Sequence, residues 1–141
     1  MTGPAPFETF EHTADIGLVI RGQTLEALFV NAADALVDIM VDPSALGEEI
    51  RMTATVSAAD RPALLVAWMN ELLYLLDVHG FLPRRCRVTE FGDTTLAAEL
   101  FGDTIDPGRH KVRRMVKAAT YHGLSLARAN DLWEARVILD L

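Results

Sequence analysis

Two stretches with helical spacing of apolar residues both fall before residue 80, and nothing after Gly80 repeats that spacing. This asymmetry limits the fold more than any other feature of the chain. In the first stretch Leu25, Leu28, Phe29, Ala32, Leu36, Ile39 and Met40 recur at helical intervals, which predicts a core-facing helix over 24–41. Thr24 is its expected N-cap, and Glu26 lies in the first turn, where a carboxylate suits the helix dipole. Asp42-Pro43 stops it, because a residue before proline is pushed out of helical geometry. In the second stretch Leu65, Trp68, Met69, Leu72, Leu73 and Leu76 turn inward. That helix starts near Asp60, takes Pro62 in its first turn and ends at Gly80.

The remainder reads as strand. Phe7 to Phe10 alternates apolar and polar, and Ile16 to Arg21 is apolar and β-branched. Further strands are expected over 49–57, 85–91, 94–101, 115–121, a short piece near 124–128, and 133–139. Gly92-Asp93 is the expected turn of a tight hairpin. Two early helices followed by hairpins imply an α+β fold, mainly antiparallel sheet with two core-facing helices, in one domain over 1–141. Residues 1–6 carry two prolines and small side chains and are expected to form a flexible tail. Regular βαβ alternation and a Gly-rich phosphate loop are both missing, which disfavours a nucleotide-binding α/β domain.

Half of the 141 residues are hydrophobic, enough for a packed core without staples. No run approaches the roughly 18 apolar residues of a membrane span. The start lacks the basic and apolar regions of a signal peptide, and the lone Cys86 cannot form an internal disulfide. A reduced, cytoplasmic setting is expected, with no membrane partner. The net charge of −7 is unevenly spread: residues 1–50 hold nine acids against one base, Arg21. The one basic run is Arg109, Lys111, Arg113, Arg114 and Lys117, too small a patch on an acidic chain to favour independent RNA binding.

Three polar clusters stand out. Glu11-His12-Thr13-Ala14-Asp15 lies between two strands and presents its side chains from a loop or bulge at a sheet end. Its His and Asp suit a hydrogen-bonded pair, a metal site or simply a turn held by Asp and Thr, and spacing alone does not choose among them. In Lys117-Ala118-Ala119-Thr120-Tyr121-His122-Gly123, strand alternation sets Lys117, Ala119 and Tyr121 against Ala118, Thr120 and His122. His122 either belongs to a site or ends a strand before Gly123. His110, in the basic loop, and His79, at a helix end, are expected to be solvated. Finally, Ile138-Leu139-Asp140-Leu141 sets the Asp140 carboxylate beside the terminal one, and two such groups repel unless a cation or donors lie between them. The alternative is a frayed, hydrated tail.

Together with Trp68-Met69-Asn70-Glu71-Leu72-Leu73-Tyr74-Leu75-Leu76-Asp77, these clusters resemble the archease family along nearly the whole chain. Glu11 stands where many members carry Asp, a change that conserves charge. The resemblance implies a non-catalytic activator of an RtcB-type RNA ligase, acting in tRNA splicing and RNA repair. It implies promotion of ligase guanylylation and multiple turnover, with tRNA or other RNA reached only through the ligase. It also implies a divalent cation, calcium first and magnesium or manganese otherwise, held by Asp15, Asp140 and the main-chain or terminal oxygens of Leu141. Such all-oxygen ligands suit a hard cation. His12, Lys117 and His122 are placed near that site or against the partner. Two other classes remain: a stand-alone metal-dependent hydrolase using His12 or His122 as base, and a chaperone-like module with an exposed apolar patch.

Overall fold

The computed structural model describes residues 3–12 and 15–141, and only the backbone of Glu11 and His12. Both helices form where the apolar spacing places them. The first, α1 (Leu25–Met40), is capped by Thr24, whose hydroxyl accepts the Ala27 N–H at 3.0 Å. The second, α2 (Arg61–His79), is capped by Asp60, which accepts the Ala63 N–H at 2.9 Å. It closes at Gly80, whose φ of +65° is the left-handed conformation that a residue without a Cβ adopts at low cost. A single 3-10 turn, Pro43–Ala45, follows α1.

Among the described residues seven strands make two antiparallel sheets: β1 (Phe7–His12), β2 (Asp15–Gly22), β3 (Ile50–Ser57), β4 (Phe81–Phe91), β5 (Thr95–Thr104), β6 (Ala118–Ala129) and β7 (Leu132–Asp140). One sheet has the order β1-β2-β7-β6 and the other β3-β5-β4. Leu18, Ile20, Val137 and Leu139 of the first sheet share one apolar core with Leu36, Leu65, Trp68 and Leu72 of the helices and Ala54, Leu96 and Leu100 of the second sheet. Trp68 is fully buried and its indole N–H donates to the Phe29 carbonyl at 2.8 Å, which ties the helices together. The α+β reading with two core-facing helices therefore holds.

Several boundaries move. Strand β4 begins at Phe81, directly after Gly80, because Phe81 and Leu82 are buried and pair with Thr104 and Asp103. The β4–β5 loop is wider than a two-residue Gly92-Asp93 turn: Phe91 pairs with Leu96, and the Gly92 N–H donates to Thr95. Residues 115–117 are not strand, since they run beside α2 and outside the ladder; 118–129 form one strand, interrupted only by a register shift. Its turn into β7 uses Asn130 (φ 52°) and Asp131 (φ 64°), a positive-φ pair that matches the twist of a two-residue hairpin.

Strand β6 is an edge strand, and Asn70 closes part of that edge. Its amide oxygen accepts the Ala119 N–H at 2.8 Å, and its amide nitrogen donates to the Ala119 carbonyl at 3.1 Å. One side chain of α2 thus satisfies both main-chain groups of a buried strand residue. Asn70→Leu strands both groups and is expected to destabilise the fold by about 1–3 kcal/mol. Urea unfolding reads this as a lower midpoint at unchanged slope, and an unchanged midpoint would mean that water replaces the amide.

Candidate carboxylate site at the sheet end

Ile16, Leu18 and Ile20 point into the core, so strand alternation puts Asp15, Gly17 and Val19 on the outer face. The same holds for β7, where Leu139 and Val137 are core and Asp140 and Ile138 lie outside. The register then sets Asp15 directly opposite Asp140, with His12 opposite Asp15 and Ala118 opposite Asp140. These four residues make one row across four strands. Side chains directly opposite on one face have Cβ atoms about 5 Å apart. The sequence clusters at the two ends of the chain therefore meet: Asp15 and Asp140 share a face, and Ala118 sets only a methyl beside them. Asp140 is exposed, and Leu141 is half-buried and packed against the core, so this end of β7 is anchored and not frayed.

The next row is Phe10, Gly17, Ile138 and Thr120. A Cβ at Gly17 would lie 2.1 Å from the Phe10 ring, so the ring sits on the glycine as a floor beside the carboxylates. The Arg136 guanidinium stacks over that ring at 4.7 Å. The glycine that ends the opening motif thus serves packing. Neither Phe10 nor Arg136 carried any sequence signal for this role.

Lys117 reaches the site through its backbone: its N–H donates to the Asp140 carbonyl at 2.8 Å, and its residue is exposed. Beyond Ala118 the β6 register shifts between Thr120 and Ser125, opposite Ile138 and Arg136, so Tyr121, His122, Gly123 and Leu124 bulge out against Val137 alone. Thr120 holds the bulge, donating its hydroxyl to the Ile138 carbonyl at 2.9 Å and accepting the His122 N–H at 3.3 Å. Simple alternation fails there. Ala119 is buried, but Tyr121, expected on its side, is 65% exposed because the bulge turns it out. The bulge carries His122 just past the Phe10–Thr120 row. Thr13 and Ala14, and the side chain of His12, lie outside the described residues.

His79 is exposed, but His110 is not solvated: it is 1% exposed. Its Nδ1 accepts the Asp106 N–H at 2.9 Å, which leaves the proton on Nε2, 3.4 Å from Asp103. The sequence places His110 among cations, but the loop folds back to cover it. Asp103 accepts the Gly47 N–H at 3.0 Å and lies 3.4 Å from Arg109. That amide, together with the Arg109 guanidinium, holds its carboxyl below the usual carboxylate range. A depressed folded value means stability that is full above about pH 4 and lost as pH falls through the folded value. Below that point Asp103→Asn is expected to lose less stability than the parent, and equal acid losses in urea titrations would contradict the role given to Asp103. Arg109 pairs with Asp103 and Asp106, and Arg113 with Asp38, which shrinks the basic patch to Lys111, Arg114 and Lys117. Cys86 is half-buried, and burial, with Asp34 adding to it, pushes its thiol up to about 12, so it is no nucleophile.

Among the described residues no three His, Cys, Asp or Glu side chains cluster as metal ligands. The outer-face pair of carboxylates, Asp15 and Asp140, is the chemical core of the candidate site. A small α+β protein with two facing carboxylates at a sheet end defines the class, and the comparisons define the family. The chain matches the Archease protein family (MTH1598/TM1083) over residues 7–141, and it belongs to that family. It is 34% identical to "Protein archease" of Methanosarcina acetivorans, over 96% of this chain and 95% of that one. It is also 34% identical to "Protein archease" of Pyrococcus furiosus, over 96% and 98%. The solution structure of Methanobacterium thermoautotrophicum protein 1598 shares 37% identity and a TM-score of 0.74, over 96% of this chain and 99% of that one. A crystal structure from Thermotoga maritima, titled an archease and possible chaperone, is 22% identical with a TM-score of 0.64 and supports the fold alone.

Like charges directly opposite in a strand pair are destabilising. Asp140→Asn is therefore expected to raise the urea midpoint of the protein in EDTA. A lower midpoint would show that a favourable contact holds Asp140.

Proposed function

We propose that this protein activates an RtcB-type RNA ligase, promoting its guanylylation and repeated turnover in tRNA splicing and RNA repair without joining RNA itself. Family membership supports the reading, and the observation that carries it is the register pairing of Asp15 with Asp140. The two carboxylates and the main-chain oxygens of Leu141 would hold a divalent cation, calcium or another hard ion. That ion would supply the positive charge between two groups that otherwise repel. Nothing larger than the Ala118 methyl faces Asp140 from β6, so water or a partner's phosphate oxygen can complete the coordination. Lys117 and His122, on the segment hydrogen-bonded to Asp140 and on the bulge beyond it, would face the partner. A cytoplasmic setting fits the lone cysteine, and no helix among the described residues is long and apolar enough to cross a membrane.

The test uses the RNA ligase of the same organism at limiting concentration. Product is expected to exceed one equivalent per ligase with the parent protein and to stay near one with Asp15→Ala. Product held at one equivalent despite excess parent protein would overturn the activator reading. RNA cleavage by the protein alone, dependent on divalent metal, would favour the hydrolase, and suppressed aggregation of unrelated proteins the chaperone-like module.

A further inference from the structure

Adjoining the carboxylate row at Lys117, a groove of about 410 Å³ runs between α2 and the segment that leads into β6. Leu73 and Val116, both buried, form its floor; Tyr74, Asp77, Met115 and Lys117 form its walls. Tyr74 is 54% exposed and Met115 56%, large apolar surfaces left in water beside an open cleft. The segment is pinned at its ends, where the Arg113 N–H donates to Met40 and the Lys117 N–H donates to Asp140. Between the pins, the N–H and C=O groups of Arg114, Met115 and Val116 have no hydrogen-bond partner among the described residues. Three successive peptide groups thus stand beside an apolar cleft without a partner among the described residues, the arrangement that an added peptide satisfies through its own main chain.

Charge narrows the choice of occupant. Lys111, Arg114 and Lys117 are exposed and form no ion pair among the described residues, whereas Arg109 and Arg113 are spoken for by Asp103, Asp106 and Asp38. An acidic chain that gathers three exposed cations on one segment favours an anionic partner. The apolar floor and Asp77 on the helix wall fit a peptide better than a phosphate backbone. We propose that this groove docks an extended protein segment that places an apolar side chain between Tyr74 and Met115 and carboxylates against Arg114 and Lys117. This surface goes beyond the ligase reading and does not depend on a bound cation.

The probes are three: an acetylated pentapeptide alternating Asp with Leu and Phe, the same peptide with Lys for Asp, and oligouridylate. Each is titrated into the full chain while backbone amide resonances are followed by NMR. The acidic peptide is expected to shift the amides of Arg114, Met115 and Val116 to saturation, and the basic peptide to leave them in place. Met115→Asp and Arg114→Glu, both at exposed positions, should weaken the acidic peptide at least tenfold with the spectrum otherwise retained. Asp140→Asn should bind the peptide like the parent whether or not it binds metal, so the two readings fail separately. Equal response to both peptides, no response at 114–116, or saturation by oligouridylate in place of the acidic peptide would overturn the proposal.

Discussion

The antiparallel pairing of β2 with β7 joins the beginning of the chain to its end, and the site depends on its register. Because side chains alternate between faces, a slip of one residue would send Asp140 into the core and break its alignment with Asp15. Burial fixes the register: Ile16, Leu18 and Ile20 on β2 and Ala135, Val137 and Leu139 on β7 all enter one core, and none has an apolar surface to gain by slipping. The carboxylates therefore face each other because the hydrophobic residues between them agree. Like charges set opposite on one face are tolerated by a sheet whose stability comes from the other face.

The helices carry the second constraint. With α1 and α2 covering one face of the four-stranded sheet, the outer face mixes the aliphatic Val19 and Ile138 with polar residues, and Phe10 over Gly17 with Arg136 above it packs beside the site. Asn70 then ties α2 to the β6 edge one residue from Ala118. The helix, the edge strand and the carboxylate row are one mechanical unit, which positions Lys117 and the Tyr121–Leu124 bulge relative to Asp140.

Much of this was legible in the sequence where a single periodicity governs. The caps Thr24 and Asp60, the αL Gly80 and the inward faces of both helices follow from local rules that tertiary structure did not override. The resemblance implied that Asp15 and Asp140 come together, and the register does set them opposite each other; spacing alone could not show it, since register between segments more than a hundred residues apart is a property of the packed core. Non-local bonds defeated the reading elsewhere. The bulge after Thr120 turns Tyr121 outward, residues 115–117 follow a helix and not a ladder, and His110 is buried by a loop that folds onto Asp103. Each depends on a partner distant in sequence or on a turn whose side-chain hydrogen bonds carry no periodic signature.

We propose that the facing carboxylates would hold a cation. Anomalous diffraction from crystals soaked in Mn²⁺ tests it most directly, because it locates the ion without reference to activity. One strong peak is expected within coordination distance of Asp15 and Asp140 side-chain oxygens and a Leu141 main-chain oxygen, lost in Asp140→Asn. A peak elsewhere, or none at this row in a crystal that leaves it open to solvent, would contradict it.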